Sequence, residues 1–215
     1  MRIEVENDAI RARKKQEYEE LVAEMDVKGY EARLEKISVL FANIFGILVF
    51  VIVGGISACI YLFVNGNDSI QNFFGPMNHY LWMLIFFAVY VVAIFVHEFI
   101  HGFLWHFACE KKWGSIDFGF NARNLTPYCH CREALSTKVY CLGAIGPTII
   151  LGVIPVVISI FIQSWFLLSF GVVGVVGGCG DILVIISLIK HRDCLLFDHP
   201  YEVGYAYFVE KQKNQ

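Results

Sequence analysis

The chain has 215 residues, 57% of them hydrophobic and 17% charged, with a net charge of −3 and a mean hydropathy of +0.57. That balance excludes a soluble globule and reads as an integral membrane protein. No basic tract is present, which excludes nucleic acid as a partner and leaves the lipid bilayer and membrane-protein or peptide ligands.

Residues 1–36 are rich in Glu, Lys and Arg and lack the apolar run of a signal peptide. Leu21, Val22, Met25 and Leu34 form a thin apolar stripe at helical spacing. The segment is therefore expected to be a charged cytoplasmic helix, either lying against the membrane or simply solvated.

Residues 37–215 are expected to form one membrane domain, giving an all-α membrane protein with four transmembrane helices. The spans fall near 38–64, 80–108, 139–162 and 165–189, with a tail from 190 to 215. Each is long enough to cross about 30 Å of hydrocarbon. The loop 65–79 and the turn Gln163–Ser164 contain no Lys or Arg. All 17 basic residues lie in the N-terminal segment (8), the 109–138 loop (5) and the tail (4). The positive-inside rule then places both termini and that loop in the cytoplasm.

The second span carries His97-Glu98-Phe99-Ile100-His101 near its cytoplasmic end. Residues four apart share a helix face, so both imidazoles can reach one metal ion, while Glu98 is offset by one position. This HExxH pattern is the signature of zinc metalloproteases, in which a glutamate takes the proton of an attacking water. Ionisable residues inside a membrane stretch are expensive, so they read as functional. The plain alternative is a pair of helix-end histidines reaching lipid headgroups.

In the loop 109–138, residues 115–121 alternate polar or small with apolar side chains, Asn124-Leu125-Thr126-Pro127 turns the chain, and Tyr128-Cys129-His130-Cys131 follows. A short cytoplasmic β-hairpin is expected there, able to hold an extended peptide by strand addition. The tail segment 203–209, after an Asp198-His199-Pro200 turn, alternates in the same way and is expected to join it. The chain has seven cysteines, at 59, 109, 129, 131, 141, 179 and 194, which read as small hydrophobes rather than a disulfide framework. Cys129-His130-Cys131 is packed too closely in sequence for an ordinary structural zinc site.

The third span contains Gly146-Pro147 and Pro155. Proline removes a helical hydrogen bond and frees a carbonyl, which either lines a water cavity at the depth of the histidines or marks a packing kink. In the fourth span Asp181 is the one charged residue, and Gly174, Gly177 and Gly178 precede it on its own face. That small face is expected to pack the fourth helix against the second and bring Asp181 to the histidines as a third ligand. Asp193 and Asp198 in the tail are weaker candidates.

Taken together, these residues resemble a bacterial family of small membrane proteins described as putative zincin peptidases, and more distantly the site-two class of intramembrane metalloproteases. The resemblance covers residues from about 80 to 205. It rests on His97-Glu98-Phe99-Ile100-His101-Gly102, on Pro127 to Glu133 at the end of the strand-bearing loop, on Gly146-Pro147, and on Gly180-Asp181. It implies zinc held by His97, His101 and an aspartate, with Glu98 as base. Site-two proteases carry that aspartate in an Asp-Gly order, whereas here the order is Gly180-Asp181.

The expectation is a zinc-dependent membrane-embedded endopeptidase acting on membrane-associated substrates near the cytoplasmic face of a bacterial plasma membrane. Zn²⁺ would be held by His97, His101 and Asp181, with Glu98 catalytic and His130 or Tyr128 contacting the oxyanion or substrate. The alternative is a non-catalytic metal-binding membrane protein, such as a sensor, transporter component or scaffold.

Overall fold

A computed structural model describes residues 1–6, 8–66, 79–122, 126–191, 193–198 and 204–211. Most of the expected loop 65–79, the Asn124–Leu125 part of the hairpin turn and the His199–Pro200 turn lie outside the described residues.

The N-terminal segment forms β1 (Arg2–Val5), α1 (Asp8–Val27) and β2 (Tyr30–Lys36). The long apolar helices α2 (Val39–Asn65) and α3 (His79–His106) come next. A 3-10 turn at Lys112–Ser115 leads into β3 (Ile116–Asn121) and β4 (Thr126–Cys131). β5 (Leu135–Ser136) precedes α4 (Thr137–Pro147), a π-helical segment (Thr148–Val153) and α5 (Ile154–Ile162). Then come α6 (Trp165–Gly177), α7 (Cys179–Leu188), β6 (Leu195–Asp198) and β7 (Gly204–Glu210).

Among the described residues, three helical stretches are long and apolar enough to cross a membrane: Val39–Asn65, Tyr80–His106 and Thr137–Ile162. α6 and α7, bent by 43° at their junction, make a fourth if they count as one span. Exposed side chains such as Phe50, Phe63, Phe87 and Phe161 suit a hydrocarbon surround rather than water. The four expected spans are thus present as helices, with boundaries shifted by a few residues.

The chain packs as two compact units, one made of Met1–Val39, Glu98–Ala144 and Leu183–Gln215, the other of Leu40–His97 and Ile145–Ile182. The first is built on two sheets. In one, β1 runs parallel to β3, and β3 pairs antiparallel with β4. In the other the order is β2-β7-β6-β5, antiparallel throughout. Tyr140, Leu188, Leu196 and Tyr205 are buried in one apolar cluster with Trp105 and Ile116.

These sheets correct three expectations. The helical majority is as expected, but an all-α class with one hairpin omits β1, β2 and the second sheet. The hairpin forms as expected, while the tail strand β7 does not join it and pairs instead with β2 and β6. Strand partners such as Tyr30 and Glu210, 180 positions apart, leave no mark in local periodicity, so the pairing was not readable in advance. The apolar stripe of α1 has a different use too. Leu21, Val22 and Met25 pack on Phe197, Ala206 and Phe208 rather than on a membrane surface. Leu34 sits in β2 and is 43% exposed.

In the second unit α6 is the hub. Gly171 and Gly174 let it approach Gly152, Leu151 and Val156, and a side chain at Gly174 would overlap the Leu151 carbonyl. Against α2, it packs Leu168 and Val172 on the fully buried Tyr61, whose ring meets Trp165 at 4.4 Å. Against α3, it accepts a hydrogen bond from Tyr90 at the Val173 carbonyl (3.3 Å) and sets Phe166 among Trp82 and Phe86. The glycine face therefore serves mainly the third span. Only Gly177 looks toward α3, where Tyr90 Oη lies 3.4 Å from a would-be side chain.

Candidate metal centre

His97 and His101 lie on one uninterrupted helix, so their shared face is set by α3 alone. Asp181 arrives differently from the expectation of a continuous fourth helix. Helix α6 ends at Gly177, with Gly178 as its cap. Two consecutive glycines are poor helix formers, and a side chain at Gly178 would overlap Thr148 Oγ1. The chain bends there and restarts, leaving Asp181 in the first turn of α7. Free N–H groups at a helix start favour a carboxylate at that position.

The result is that His97 Nε2 stands 3.2 Å from Asp181 Oδ2. His101 follows one turn along α3, and the three residues offer donor atoms that all lie within 4.8 Å of one another. Among the described residues they are the only His, Cys, Asp or Glu trio brought so close. Two donors bonded to one tetrahedral zinc stand about 3.4 Å apart, so the His97–Asp181 separation already fits. Two imidazoles and a carboxylate are also a donor set zinc accepts, with one position left over. The residues fit the metal.

His101, 4% exposed, is fixed on two sides. Its Nδ1 lies 2.9 Å from the carbonyl of Gly143. A carbonyl only accepts, so Nδ1 carries a proton and, in the neutral ring, Nε2 keeps its lone pair. Trp105 stacks on the ring at 5.3 Å, tilted 17°, and its own Nε1–H donates to the Tyr140 carbonyl (3.3 Å). A side chain at Gly143 would overlap the Trp105 indole. Gly143 and Trp105 were not expected as site residues. The one advance signal was Pro147, four positions after Gly143, which frees that carbonyl.

Glu98 is half-buried beside His97. The hairpin is held against the next residues of α3, because Gly102 lets Phe118, Ile116 and Cys129 close on the helix. Burial, then the carboxylates of Glu98, Asp198 and Asp117, push the Cys129 thiol well up from its ordinary value. Cys129 is not part of the trio formed by His97, His101 and Asp181.

The structure gives His130 and Tyr128 other partners. Strand alternation turns His130 to the face opposite Cys129 and Cys131. His130 Nδ1 lies 3.1 Å from Asp198 Oδ2, which also accepts from the Cys131 N–H (3.1 Å). Tyr140 donates to the other carboxylate oxygen at 2.9 Å. Burial would raise the Asp198 carboxyl, but these donors hold it below the usual range. Tyr128 donates to Glu4 at 3.2 Å, with Lys14 Nζ over its ring at 3.7 Å. Asp193 is exposed, and neither it nor Asp198 belongs to the trio. Cys131 meets Cys109, sulfur to sulfur at 3.4 Å.

A family model described as "Putative zincin peptidase" matches residues 90–196, which contain the motif, the hairpin and Asp181. No curated protein matches the chain, and no solved structure does.

Proposed function

We propose, from the match of residues 90–196 to the family described as "Putative zincin peptidase", that the chain is a zinc-dependent endopeptidase that cleaves membrane-associated polypeptides. The observation that carries this reading is the meeting of His97, His101 and Asp181 beside Glu98. His97, His101 and Asp181 would hold the zinc, which supplies Lewis-acid polarisation of the scissile carbonyl when bound.

The remaining chemistry belongs to the chain. Neutral imidazoles at His97 and His101 would offer their nitrogens as ligands, and the Gly143 carbonyl keeps the His101 proton on Nδ1, leaving Nε2 for the metal. The Glu98 carboxylate accepts the proton of the attacking water and delivers it to the departing amine nitrogen. An extended peptide would add to the hairpin sheet at β4, since β1 already occupies the other side of β3. The distribution of basic residues supports a site near the cytoplasmic face of the membrane, with both termini inside.

The test pairs zinc content with cleavage of a quenched-fluorescence peptide library by detergent-purified protein. Glu98→Gln should keep about one zinc per chain and lose about 10²–10⁴-fold in rate. Equal cleavage by the variant overturns Glu98 as the base. A wild-type chain that takes up no zinc overturns the peptidase reading.

A further inference from the structure

We propose that Pro147 is a positioning residue for this centre, acting through the Gly143 carbonyl on His101. In an α-helix the N–H of each residue bonds the carbonyl four positions earlier. Residue 147 is a proline and has no N–H, so the carbonyl it would have satisfied, that of Gly143, is left for another donor. Pro147 does not end the helix. Its backbone stays helical (φ −58°, ψ −41°), and the chain continues into the π-helical segment Thr148–Val153. Gly143 and Pro147 are both buried, so water is a poor substitute and the carbonyl needs a partner from the protein. The partner is His101 Nδ1, at 2.9 Å.

The surroundings are built for this one bond. With glycine at 143, the Trp105 indole can lie against the helix. Trp105 then covers the face of the His101 ring while Gly143 holds its edge. Face and edge together fix both the orientation of the ring and the nitrogen that carries its proton. Histidine ligands of metals are commonly held this way, by a carbonyl or carboxylate on the far nitrogen. The distinguishing feature is the origin of the carbonyl, which a proline in a neighbouring span withholds from its own helix. A kink made for packing alone needs no imidazole at the freed oxygen. For its consequence the inference rests on the zinc reading; the hydrogen bond itself does not.

Pro147→Ala restores the missing N–H, which then competes with His101 for the Gly143 carbonyl. Pro155→Ala, in the same span, is the control, since it lies eight positions beyond Pro147 and does not offer an N–H to the Gly143 carbonyl. Two measurements on the full chain in detergent decide the matter. Nitrogen-15 NMR of histidine-labelled, zinc-free protein reads the tautomer, and competition with a chromophoric chelator reads zinc affinity. The expected result is His101 protonated at Nδ1 in the wild type and in Pro155→Ala. Pro147→Ala should show a mixture of tautomers, with zinc bound about 10–100-fold more weakly and no lower melting temperature. His101 protonated at Nε2 in the wild type, or Pro147→Ala with unchanged tautomer and affinity, overturns the inference. If the wild type binds no zinc but shows the tautomer change, the peptidase reading fails and the Pro147–His101 link is supported.

Discussion

His97 Nε2 and Asp181 Oδ2 stand 3.2 Å apart although 84 positions separate them in the chain. The contact depends on a broken helix. Had α6 run straight through Gly178, Asp181 would have been carried past the bend as part of one rod. The 43° break instead gives it the first turn of a new helix. Dividing an aspartate from its packing glycines lets close approach and metal geometry be set separately.

The first prediction concerns that carboxylate. Asp181→Asn keeps the shape and a hydrogen-bonding oxygen but loses the negative charge, and His97→Ala removes a nitrogen donor outright. Losing a supporting contact to a ligand costs about 10–100-fold in metal affinity. Each of these changes should therefore weaken zinc by more than about 100-fold. Chelator competition measures it, and tight stoichiometric zinc in Asp181→Asn would move the third ligand elsewhere.

Two glycines near the centre should respond oppositely to alanine. At Gly174 a methyl group would overlap the Leu151 carbonyl, a backbone atom that cannot swing aside. Gly174→Ala should destabilise by about 1–3 kcal/mol. Around Gly180 nothing lies within 4 Å of the new methyl. Gly180→Ala should be neutral or stabilising by up to about 1 kcal/mol, as alanine is the better helix former. Thermal melting of the two variants in detergent compares them directly.

Asp198 predicts an acid sensitivity. The His130, Cys131 and Tyr140 donors lower its pKa in the folded state, so the unfolded chain binds its proton more readily. The contribution is fully present above the unfolded value, about pH 3.9, and is lost as pH falls through the folded one. Asp198→Asn should lower stability by about 1–3 kcal/mol at neutral pH and flatten the acid dependence. Melting temperatures of wild type and variant should converge toward low pH. A constant gap across the titration would show that Asp198 acts through its shape alone.

Much of the site was legible in the sequence because its parts are local. Four-residue spacing puts His97 and His101 on one face of any helix, and a lone aspartate in an apolar span is conspicuous. Less legible was the route by which Asp181 reaches them. The glycines before it were readable as a small face, but not which neighbour that face meets, since a glycine records only that something comes close. His130 and Tyr128 were expected to reach the site from the hairpin loop. In the fold His130 Nδ1 meets Asp198 and the Tyr128 hydroxyl meets Glu4, contacts made through strand alternation and the N-terminal segment that local spacing does not encode.

Sequence alone determined the four apolar spans, the histidine pair, the glutamate beside it and the hairpin, each of which follows from periodicity or spacing within a few turns of chain. Tertiary structure decided which strands pair, where the fourth span breaks, and that the carbonyl freed by Pro147 is taken by His101. Backbone hydrogen bonds between β2 and β7 join residues 168 to 180 positions apart, and nothing in local spacing encodes them. In the same way, a proline reveals that a carbonyl needs a partner, while only packing reveals which side chain answers it.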